Sequence, residues 1–367
     1  MTADLIVFVT ATLEPSGANS QALAVARALV EEQRRVIWLA LDRLGPLSGV
    51  LEQHRIATHL VRRRGNWDLI AANHISQLMR ALRPDVLHFW DWPSARWFDW
   101  FGSQSNIGRA VVSVRGVGRK DTPYAWWHAT MAYQATMAFN CPEARSAMAR
   151  HLRRPARLEV IFDGVSAAPR RRAGAARSND DIRRELGLPA DARLIGSVAP
   201  LVPAANLKDA IWATDLLQVA GDDVHLLICG DGPARPNLQR YARQCGVRER
   251  VHFLGWRTDV TRWLGQLDLL WHPGWRDTPS LAVLEALAAR VPVVACDSPG
   301  HRRSIVDGQS GYLVAAGDRA NLARRAQRLL ENRELAVRLG TAGRKFVRQE
   351  HNLERMVGAY RRLYDRL

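Results

Sequence analysis

The amino-acid sequence predicts an α/β protein built from two doubly wound domains. The chain has 367 residues, and at about 100–200 residues per domain this length favours two domains. Short apolar runs alternate with amphipathic stretches along most of the chain, a pattern typical of βα units that form a mostly parallel sheet. The alternation is interrupted at the polar, basic segment 167–181 and then resumes. We therefore predict one α/β domain on each side of this segment.

The first half of the chain contains a series of apolar runs that predict strands. These runs are Leu5–Val9, Val36–Leu41, Thr58–Val61, Val86–Phe89, Ala110–Val114, Met137–Cys141 and Leu158–Ile161. Helical periodicity lies between most of them and is clearest over Ala18–Glu32 and Asp68–Leu82. The second of these helices should end before Pro84, because proline cannot continue a helix. These elements predict a first domain over residues 1–170.

The second half repeats the pattern and predicts a domain over residues 171–350. Its predicted strands are Leu194–Val198, Val224–Cys229, Val251–Leu254, Leu267–Trp271, Val291–Ala295 and Gly311–Val314. Its predicted helices are Leu207–Ala220, Asn237–Gln244, Val260–Leu264, Leu281–Ala289 and Ala320–Glu331. In doubly wound sheets, ligands bind outside the carboxyl ends of the strands, so functional residues are expected in the loops that follow them.

Composition and charge narrow the range of functions. Hydrophobic residues make up 47% of the chain and charged residues 24%, a balance that excludes global disorder. No apolar run is long enough to span a bilayer. The net charge of +16 favours anionic partners such as nucleotides or the surface of an anionic membrane. No nucleic-acid-binding module is recognisable, and the scattered cysteines predict neither a zinc site nor a redox motif.

The most informative stretch is 267–318, where a predicted strand runs into a Gly/Pro loop and then into a helix. Free backbone N–H groups at the start of that helix, near Ser280 and Leu281, would form an anion site. Asp277 lies in the loop, and Glu285 lies one turn into the helix among apolar residues. A carboxylate in such a setting needs hydrogen-bond donors, for example sugar hydroxyls. On the pattern alone, the two acids could also be unrelated surface residues.

This stretch resembles the nucleotide-sugar signature of the retaining glycosyltransferases of family 4. The resemblance rests on Asp277 and Glu285 with seven residues between them, the PVVA strand that ends at Ala295, and the segment 305–318. It extends from about residue 194 to 347 and continues more weakly into the first half, at 16–19, 84–88 and 160–165. It implies the GT-B fold, in which two Rossmann-like domains face a central cleft. It also implies that the C-terminal segment 351–367 packs back on the N-terminal domain.

The resemblance assigns a role to each matched position in the second domain. Glu285 would hold the nucleotide ribose, and the backbone at Ser280 and Leu281 would receive the diphosphate. Asp277 matches the family acid that contacts the donor sugar. The remaining matched positions would line the donor site: Gly232 in the segment CGDGP, and Gly255 and Trp256 near the nucleobase, where Trp256 could stack on the base.

Two cations that the family uses to stabilise the leaving diphosphate are absent at their usual places. Pro200 stands at the position of the family's Arg, and Ala205 stands at the position of its Lys. Without a metal, fixed cations and helix N–H groups must neutralise the charge of the leaving group. We expect substitute cations, with Arg276 and Arg115 as the first candidates and Lys208 and Arg303 as further ones.

The first domain contains fewer candidate residues for the donor and acceptor sites than the second. Ser16 and Gly17 match a Gly-rich loop that would approach the donor phosphates. Arg115 replaces the family's catalytic-region His, and His88 matches another family His, although it could equally be a strand-end residue with a structural role. An acceptor would then enter near Arg115, His88 and the loop after Leu13. The Trp-rich segment 90–100 could be a sugar platform, but its helical spacing favours a place in the core.

The sequence therefore predicts transfer of a hexose from a UDP- or GDP-sugar to a carbohydrate or lipid-linked acceptor, with retention of configuration. The donor is a substrate, and the resemblance implies neither a cofactor nor a metal. The alternative is a catalytically degenerate paralogue that acts as a binding or scaffolding protein. We expect a cytoplasmic location and a role in cell-envelope polysaccharide synthesis, and we leave peripheral contact with an anionic membrane open.

Overall fold

A computed structural model of the chain has two parallel sheets, each flanked by helices. The structure describes residues 3–65, 68–102, 109–115, 135–150, 157–166, 182–257 and 259–367. The predicted linker 167–181 lies outside the described residues. The chain divides into two compact units, unit 1 with Met1–Gly164 and Leu353–Leu367, and unit 2 with Val165–Asn352.

Unit 1 contains a parallel sheet with the strand order β3-β2-β1-β4-β5-β6-β7. Its strands are β1 (Leu5–Thr12), β2 (Arg35–Arg43), β3 (Ala57–Leu60), β4 (Val86–Phe89), β5 (Ala110–Val114), β6 (Ala135–Phe139) and β7 (Leu158–Val160). Its helices before the crossing to unit 2 are α1 (Gly17–Glu31), α2 (Leu47–Gln53), α3 (Leu69–Leu82), α4 (Trp92–Gly102) and α5 (Pro142–Ala149). The predicted α/β class is confirmed for this half of the chain.

Local capping explains where some elements of unit 1 begin and end. Helix α3 begins after Asp68, whose side chain accepts a hydrogen bond from the backbone N–H of Ala71, and it ends at Arg83 in the left-handed conformation, just before Pro84. The predicted strand Met137–Cys141 lies two residues too far along the chain. Cys141 is instead the N-cap of α5, which begins with proline at its first position.

Unit 2 contains a second parallel sheet with the strand order β10-β9-β8-β11-β12-β13. Its strands are β8 (Arg193–Val198), β9 (Val224–Cys229), β10 (Val251–Gly255), β11 (Leu269–His272), β12 (Val293–Cys296) and β13 (Tyr312–Val314). Its helices are α6 (Ile182–Glu185), α7 (Leu207–Val219), α8 (Arg235–Gln244), α9 (Val260–Leu264), α10 (Leu281–Ala288), α11 (Pro299–Arg302), α12 (Arg319–Glu331) and α13 (Arg333–Glu350), with short 3₁₀ turns at Pro203–Ala205 and Arg248–Arg250.

Two strands of unit 2 start later than the sequence predicts. The backbone N–H of Leu267 donates to the carbonyl of Leu264, which continues the turn after α9, so β11 starts at Leu269. The N–H of Val291 donates to the carbonyl of Ala286, which closes the end of α10, so β12 starts at Val293. In both cases the apolar run also supplies residues to the end of the preceding helix.

The chain returns to unit 1 for its last helix, α14 (Leu353–Arg366). Met356, Tyr360, Leu363 and Tyr364 of α14 are buried in a core cluster that includes residues of α1. The division between the units lies at Gly164–Val165 rather than at residue 170. Val165 belongs to unit 2 because its N–H donates to the carbonyl of His351 at 2.9 Å and its side chain joins the core of that unit.

We expect the substitution Tyr364→Phe to destabilise the protein by about 1–3 kcal/mol, the usual cost of leaving a buried polar group without its partner. The Tyr364 hydroxyl lies 2.6 Å from Nδ1 of His88, and both side chains are buried. Urea unfolding of the variant measures the change in the free energy of unfolding. The matched control is Arg362→Gln, an exposed position on α14, where we expect a change within about 0.5 kcal/mol. Equal stability of the two variants would contradict the role of this hydrogen bond.

Candidate functional site

The strand order of unit 2 marks where a ligand is expected. The chain builds the sheet outward from β8 to β10 on one side and then from β11 to β13 on the other. Strands β8 and β11 are therefore the neighbours at which the winding reverses, and such reversals leave a crevice outside the carboxyl ends of the strands. The loop after β8 is 199–206, and the loop after β11, 273–280, contains or adjoins the predicted positions Arg276, Asp277, Ser280 and Leu281.

Close packing of two loops explains the glycines in the segment CGDGP. Gly230 and Gly232 have φ angles of 137° and 156°, which side-chain-bearing residues rarely adopt. A Cβ atom at Gly232 would lie 2.6 Å from the carbonyl oxygen of Leu201, and the N–H of Leu201 donates to the carbonyl of Asp231 at 3.0 Å. Gly232, predicted to line the donor site, thus lets the loop after β9 lie directly on the loop after β8.

A chain of buried side chains lies at the start of α10. Oγ of Ser280 is 3.0 Å from Nε2 of His272, and Nδ1 of His272 is 3.0 Å from Nε2 of His301. Nδ1 of His301 is in turn 2.6 Å from the carbonyl oxygen of Cys296. Ser280, His272 and His301 are all buried. Burial holds the pKa of His272 well below its usual range and lowers the pKa of His301 to about 4, so both rings are neutral near pH 7.

The carbonyl of Cys296 determines the direction of every hydrogen bond in this chain. A carbonyl oxygen can only accept, so Nδ1 of His301 carries the proton and its Nε2 accepts. His272 must then donate through Nδ1 and accept through Nε2. The hydroxyl of Ser280 therefore donates to His272.

The start of α10 has no side-chain cap, since the Ser280 side chain is directed toward His272. Ser280 is the N-cap residue, the position from which a hydroxyl oxygen normally accepts from the first turn, yet it makes no capping hydrogen bond. The first intrahelical bond runs from the N–H of Leu284 to the carbonyl of Ser280. The N–H groups of residues 281–283 precede this bond, so they are left for an anionic ligand.

Glu285 lies one turn into α10 and is half-buried. Among the described residues, none donates a hydrogen bond to its carboxylate or forms an ion pair with it. Burial raises the pKa of Glu285 to about 7. A buried carboxylate without a partner needs hydrogen-bond donors when it is ionised, and hydroxyl groups of a ligand can supply them.

The loop before α10 carries the other two predicted residues of this region. Arg276 is exposed and Asp277 is half-buried. The carbonyl of Arg276 accepts a hydrogen bond of 3.0 Å from the N–H of Gly300, which ties the loop to the start of α11. Arg276 is therefore an exposed, positively charged side chain five residues before Leu281, the first residue of α10.

The other cations proposed as substitutes, Lys208 and Arg303, each make contacts within the protein. The ammonium of Lys208 lies 5.2 Å from the ring centroid of Tyr241, in a cation–π contact on the surface of α8. Arg303 is half-buried and makes contacts of its own. Pro200 and Ala205 lie in the loop after β8, where neither side chain can supply a charge.

Gly255 and Trp256 lie at the carboxyl end of β10. Gly255 has a φ of 68°, and its carbonyl accepts from the N–H of Gly230 at 2.8 Å. Trp256 is 38% exposed, so much of its indole ring is open to solvent. The ring is thus accessible at the same edge of the sheet as Ser280 and Glu285.

In unit 1, the loop after β1 is held by its own polar groups. Oγ of Ser16 accepts from the N–H of Asn19 at 3.1 Å, and Ser16 is the N-cap of α1. The Asn19 amide donates to the carbonyls of Thr12 and Glu14. Ser16 and Gly17 are exposed, at the strand end where the winding of this sheet reverses.

The structure does not favour the catalytic role predicted for His88. This residue is completely buried, with Nδ1 2.6 Å from the Tyr364 hydroxyl and Nε2 3.0 Å from the Ser113 hydroxyl. Its ring centroid is 4.1 Å from that of Trp90. Burial and the nearby charge of Arg115 hold its pKa well below the usual range. His88 is therefore a neutral structural residue with both ring nitrogens engaged.

Arg115 also takes part in a structural network. Its guanidinium forms an ion pair with Asp163, whose second carboxylate oxygen accepts from the amide of Asn140 at 2.9 Å. The same guanidinium lies 5.8 Å from the ring centroid of Trp90. Its charge is thus neutralised inside unit 1, which weakens its candidacy as the substitute cation.

Two further findings concern aromatic side chains and missed residues. Trp97 of α4 is buried in the core of unit 1, as its helical spacing predicts, and Trp90 just after β4 is buried as well. The side chains of Phe98 and Phe101 lie outside the described residues. From the sequence, His272 is expected only to pack, and nothing predicts its hydrogen bond to His301, 29 residues further along the chain. The one sequence signal was that His272 directly follows the predicted strand Leu267–Trp271.

Neither a membrane span nor a metal cluster is found in the described part of the chain. There, no helix is both long enough and apolar enough to cross a bilayer. The described residues also contain no group of three or more His, Cys, Asp or Glu side chains arranged to hold a metal ion.

Comparison with known proteins follows the same division of the chain. Residues 178–346 match the family model described as Glycosyl transferases group 1. Residues 15–168 match the model described as Glycosyltransferase Family 4. The lipopolysaccharide core biosynthesis glycosyltransferase LpsE of Rhizobium meliloti (strain 1021) is 30% identical over 181 residues, 49% of this chain and 52% of that protein. The chain spans about half the length of the curated relatives it matches.

Solved structures extend the similarity over nearly the whole chain. HepE from Anabaena, in complex with UDP and glucose, aligns with a TM-score of 0.83 and 18% identity, covering 99% of this chain and 100% of that one. WaaG, a glycosyltransferase involved in lipopolysaccharide biosynthesis, aligns with a TM-score of 0.76 and 16% identity, covering 97% and 98%. The predicted GT-B fold is confirmed by these alignments.

The raised pKa of Glu285 predicts that the stability of the protein depends on pH. Its pKa is raised in the folded protein from 4.5 to about 7, so the folded state binds more protons than the unfolded state between these values. The free energy of unfolding of the wild type should therefore fall, relative to Glu285→Gln, as the pH rises from about 4.5 to about 7, and then level off.

Urea unfolding across this pH range measures the difference. The exposed Glu331 provides the matched control, since Glu331→Gln should show no such trend. A constant difference between wild type and Glu285→Gln at all pH values would indicate that the carboxylate is paired in the folded protein.

Proposed function

Because this chain belongs to the group 1 glycosyltransferases of the GT-B fold, we propose that it transfers a hexose from a nucleotide-diphosphate sugar with retention of configuration. The observation that carries this proposal is the unpaired, half-buried carboxylate of Glu285 beside the uncapped start of α10. A carboxylate that needs hydroxyl donors, next to N–H groups that need an anion, suits a ribose joined to a diphosphate.

The donor would lie along the carboxyl edge of the unit 2 sheet. Glu285 accepts hydrogen bonds from the ribose hydroxyls, and the N–H groups at Leu281 and the following residues receive the diphosphate. The half-exposed indole of Trp256 offers a stacking face for the base. The complexes of HepE with UDP and with UDP-glucose support a nucleotide sugar as donor, and either UDP or GDP fits this arrangement.

The departing diphosphate requires positive charge at the start of α10. Arg276 is exposed on the loop that leads into this helix and is our candidate for that cation. Together with the N–H groups, it would stabilise the leaving group by preorganised charge, without a requirement for a metal ion. Asp277, the next residue, is proposed to contact the donor sugar, as the family resemblance implies.

The acceptor is proposed to be a carbohydrate or a lipid-linked saccharide of the cell envelope. The similarity to proteins of lipopolysaccharide synthesis, LpsE and WaaG, supports this class. The positive net charge of +16 suits an anionic acceptor or transient contact with an anionic membrane surface. The comparisons do not favour a catalytically degenerate binding protein.

We expect Glu285→Ala to weaken binding of the donor nucleotide by about 1.5–3 kcal/mol, the range for hydrogen bonds to a charged group. Calorimetric titration with UDP and with GDP identifies the nucleotide and measures the change. Because no described residue pairs with this carboxylate, stability without nucleotide should not fall. A variant that loses stability but keeps its affinity would show that Glu285 is structural and would remove the donor site from this helix.

We expect Arg276→Ala to reduce the rate of sugar transfer by roughly 10²-fold, the scale for loss of one preorganised charged contact. The assay is hydrolysis or transfer with a panel of nucleotide sugars. Arg302→Ala is the matched control, because Arg302 is exposed nearby and its guanidinium is bonded to Asp297. Equal rates for wild type and Arg276→Ala would exclude this arginine as the substitute cation.

A further inference from the structure

We propose that unit 2 carries a second anion site, at the opposite edge of its sheet from the donor site, which binds a ligand through a phosphate group. The site is a surface cavity of about 410 Å³ lined by Arg290, Thr341, Arg344, Lys345, Arg348 and Gln349. Arg290 precedes the amino end of β12, whereas the proposed donor site lies at the carboxyl ends of the strands. This cavity is therefore separate from the proposed donor site.

Close packing of two helices brings these side chains together. Helix α13 packs against α10, and glycines allow its backbone to approach. A Cβ atom at Gly340 would overlap the carbonyl of Arg290, and one at Gly343 would lie 2.6 Å from Cδ2 of Leu287. The second half of α13 is thus fixed beside the turn that contains Arg290, with positions 341, 344, 345 and 348 near that turn.

The charge of the cavity is unbalanced. Four of its lining residues are cationic and none is acidic. Among the described residues, no carboxylate forms an ion pair with Arg290, Arg344, Lys345 or Arg348. Positive charges gathered in one cavity repel one another, and the cost is greatest at Arg344, which is half-buried while the other three cations are exposed. An anion bound among them would remove this cost.

Arg344 points most directly to a missing partner. Its Nε atom is buried and has no hydrogen-bond acceptor, whereas buried polar atoms in folded proteins normally have one. Partial burial and the charges of Arg290 and Arg348 lower the pKa of Arg344, although an arginine stays protonated. The guanidinium is thus held in an environment that favours a bound anion.

The chemistry of the lining favours a phosphate group. Planar guanidinium groups bind phosphate through paired N–H donors, and the hydroxyl of Thr341 adds a neutral donor. The four charges suit a doubly charged phosphomonoester or a diphosphate better than a single carboxylate. The volume of about 410 Å³ lies within the range of small-ligand pockets, so the phosphate can carry an attached group. The phosphate could belong to a soluble molecule or to a lipid headgroup.

The test compares two charge-reversal variants of the whole protein. Arg344→Glu/Arg348→Glu alters the cavity. Arg333→Glu/Arg338→Glu makes the same change in net charge at exposed positions of α13 outside the cavity. Calorimetric titration with inorganic pyrophosphate at low salt, with saturating UDP to occupy the proposed donor site, should show binding to the wild type and to the second variant. In the first variant, the affinity should fall by about tenfold or more.

A second probe identifies the source of the phosphate. Vesicles of phosphatidylcholine with and without phosphatidic acid are sedimented with each protein. Loss of both pyrophosphate and phosphatidic acid binding in the cavity variant alone indicates a lipid headgroup, and loss of pyrophosphate binding alone indicates a soluble ligand. Equal losses in the two variants, or no binding of either probe to the wild type, would overturn the proposal.

Two further measurements separate a failure of the donor site, or a failure of the variant to fold, from a failure of the cavity to bind phosphate. UDP affinity, measured in the same proteins, should be unchanged in the cavity variant. Absence of UDP binding to the wild type would count against the proposed function and not against this site. If the double reversal does not fold, Arg344→Gln/Arg348→Gln removes the charges without adding repulsion, and it must lose pyrophosphate binding for the proposal to stand.

Discussion

The hydrogen bond from Ser280 to His272 is the constraint on which the candidate site depends. Its direction follows from the carbonyl of Cys296, which can only accept and therefore orients both histidine rings. The Ser280 side chain is directed toward His272, and its hydroxyl does not cap α10. The chain of buried hydrogen bonds from Ser280 to the Cys296 carbonyl thus lies beside the N–H groups of residues 281–283, which have no side-chain cap and can bind an anion.

Within unit 1, His88 and Arg115 have partners for their ionisable groups. His88 and Arg115 lie close to the chain's last helix, where His88 bonds Tyr364 and the Arg115–Asp163 ion pair lies beside Trp90. Charged groups inside a protein need such partners, since an unpaired buried charge costs several kcal/mol. The same partners that stabilise the unit engage both side chains and make them poor candidates for catalysis.

The sequence predicted the fold class well because the alternation of apolar and amphipathic runs reflects the burial that a parallel sheet requires. The errors in the predicted strand bounds are local and share one cause. Apolar residues near Cys141, Leu267 and Val291 serve the cap or turn of a helix instead of a strand. Periodicity reports burial, and it does not distinguish a strand end from an adjoining helix end.

The sequence by itself determined the two α/β units, the helix that starts at Leu281 and the place of Glu285 in its apolar first turns. All of these depend on residues close together in the chain. Only the tertiary structure decided that His272 would meet His301, that His88 would be buried against Tyr364, and that Arg290 would face the cations of α13. Parallel strands and packed helices bring together side chains that are distant in the chain, and their protonation and pairing depend on those neighbours.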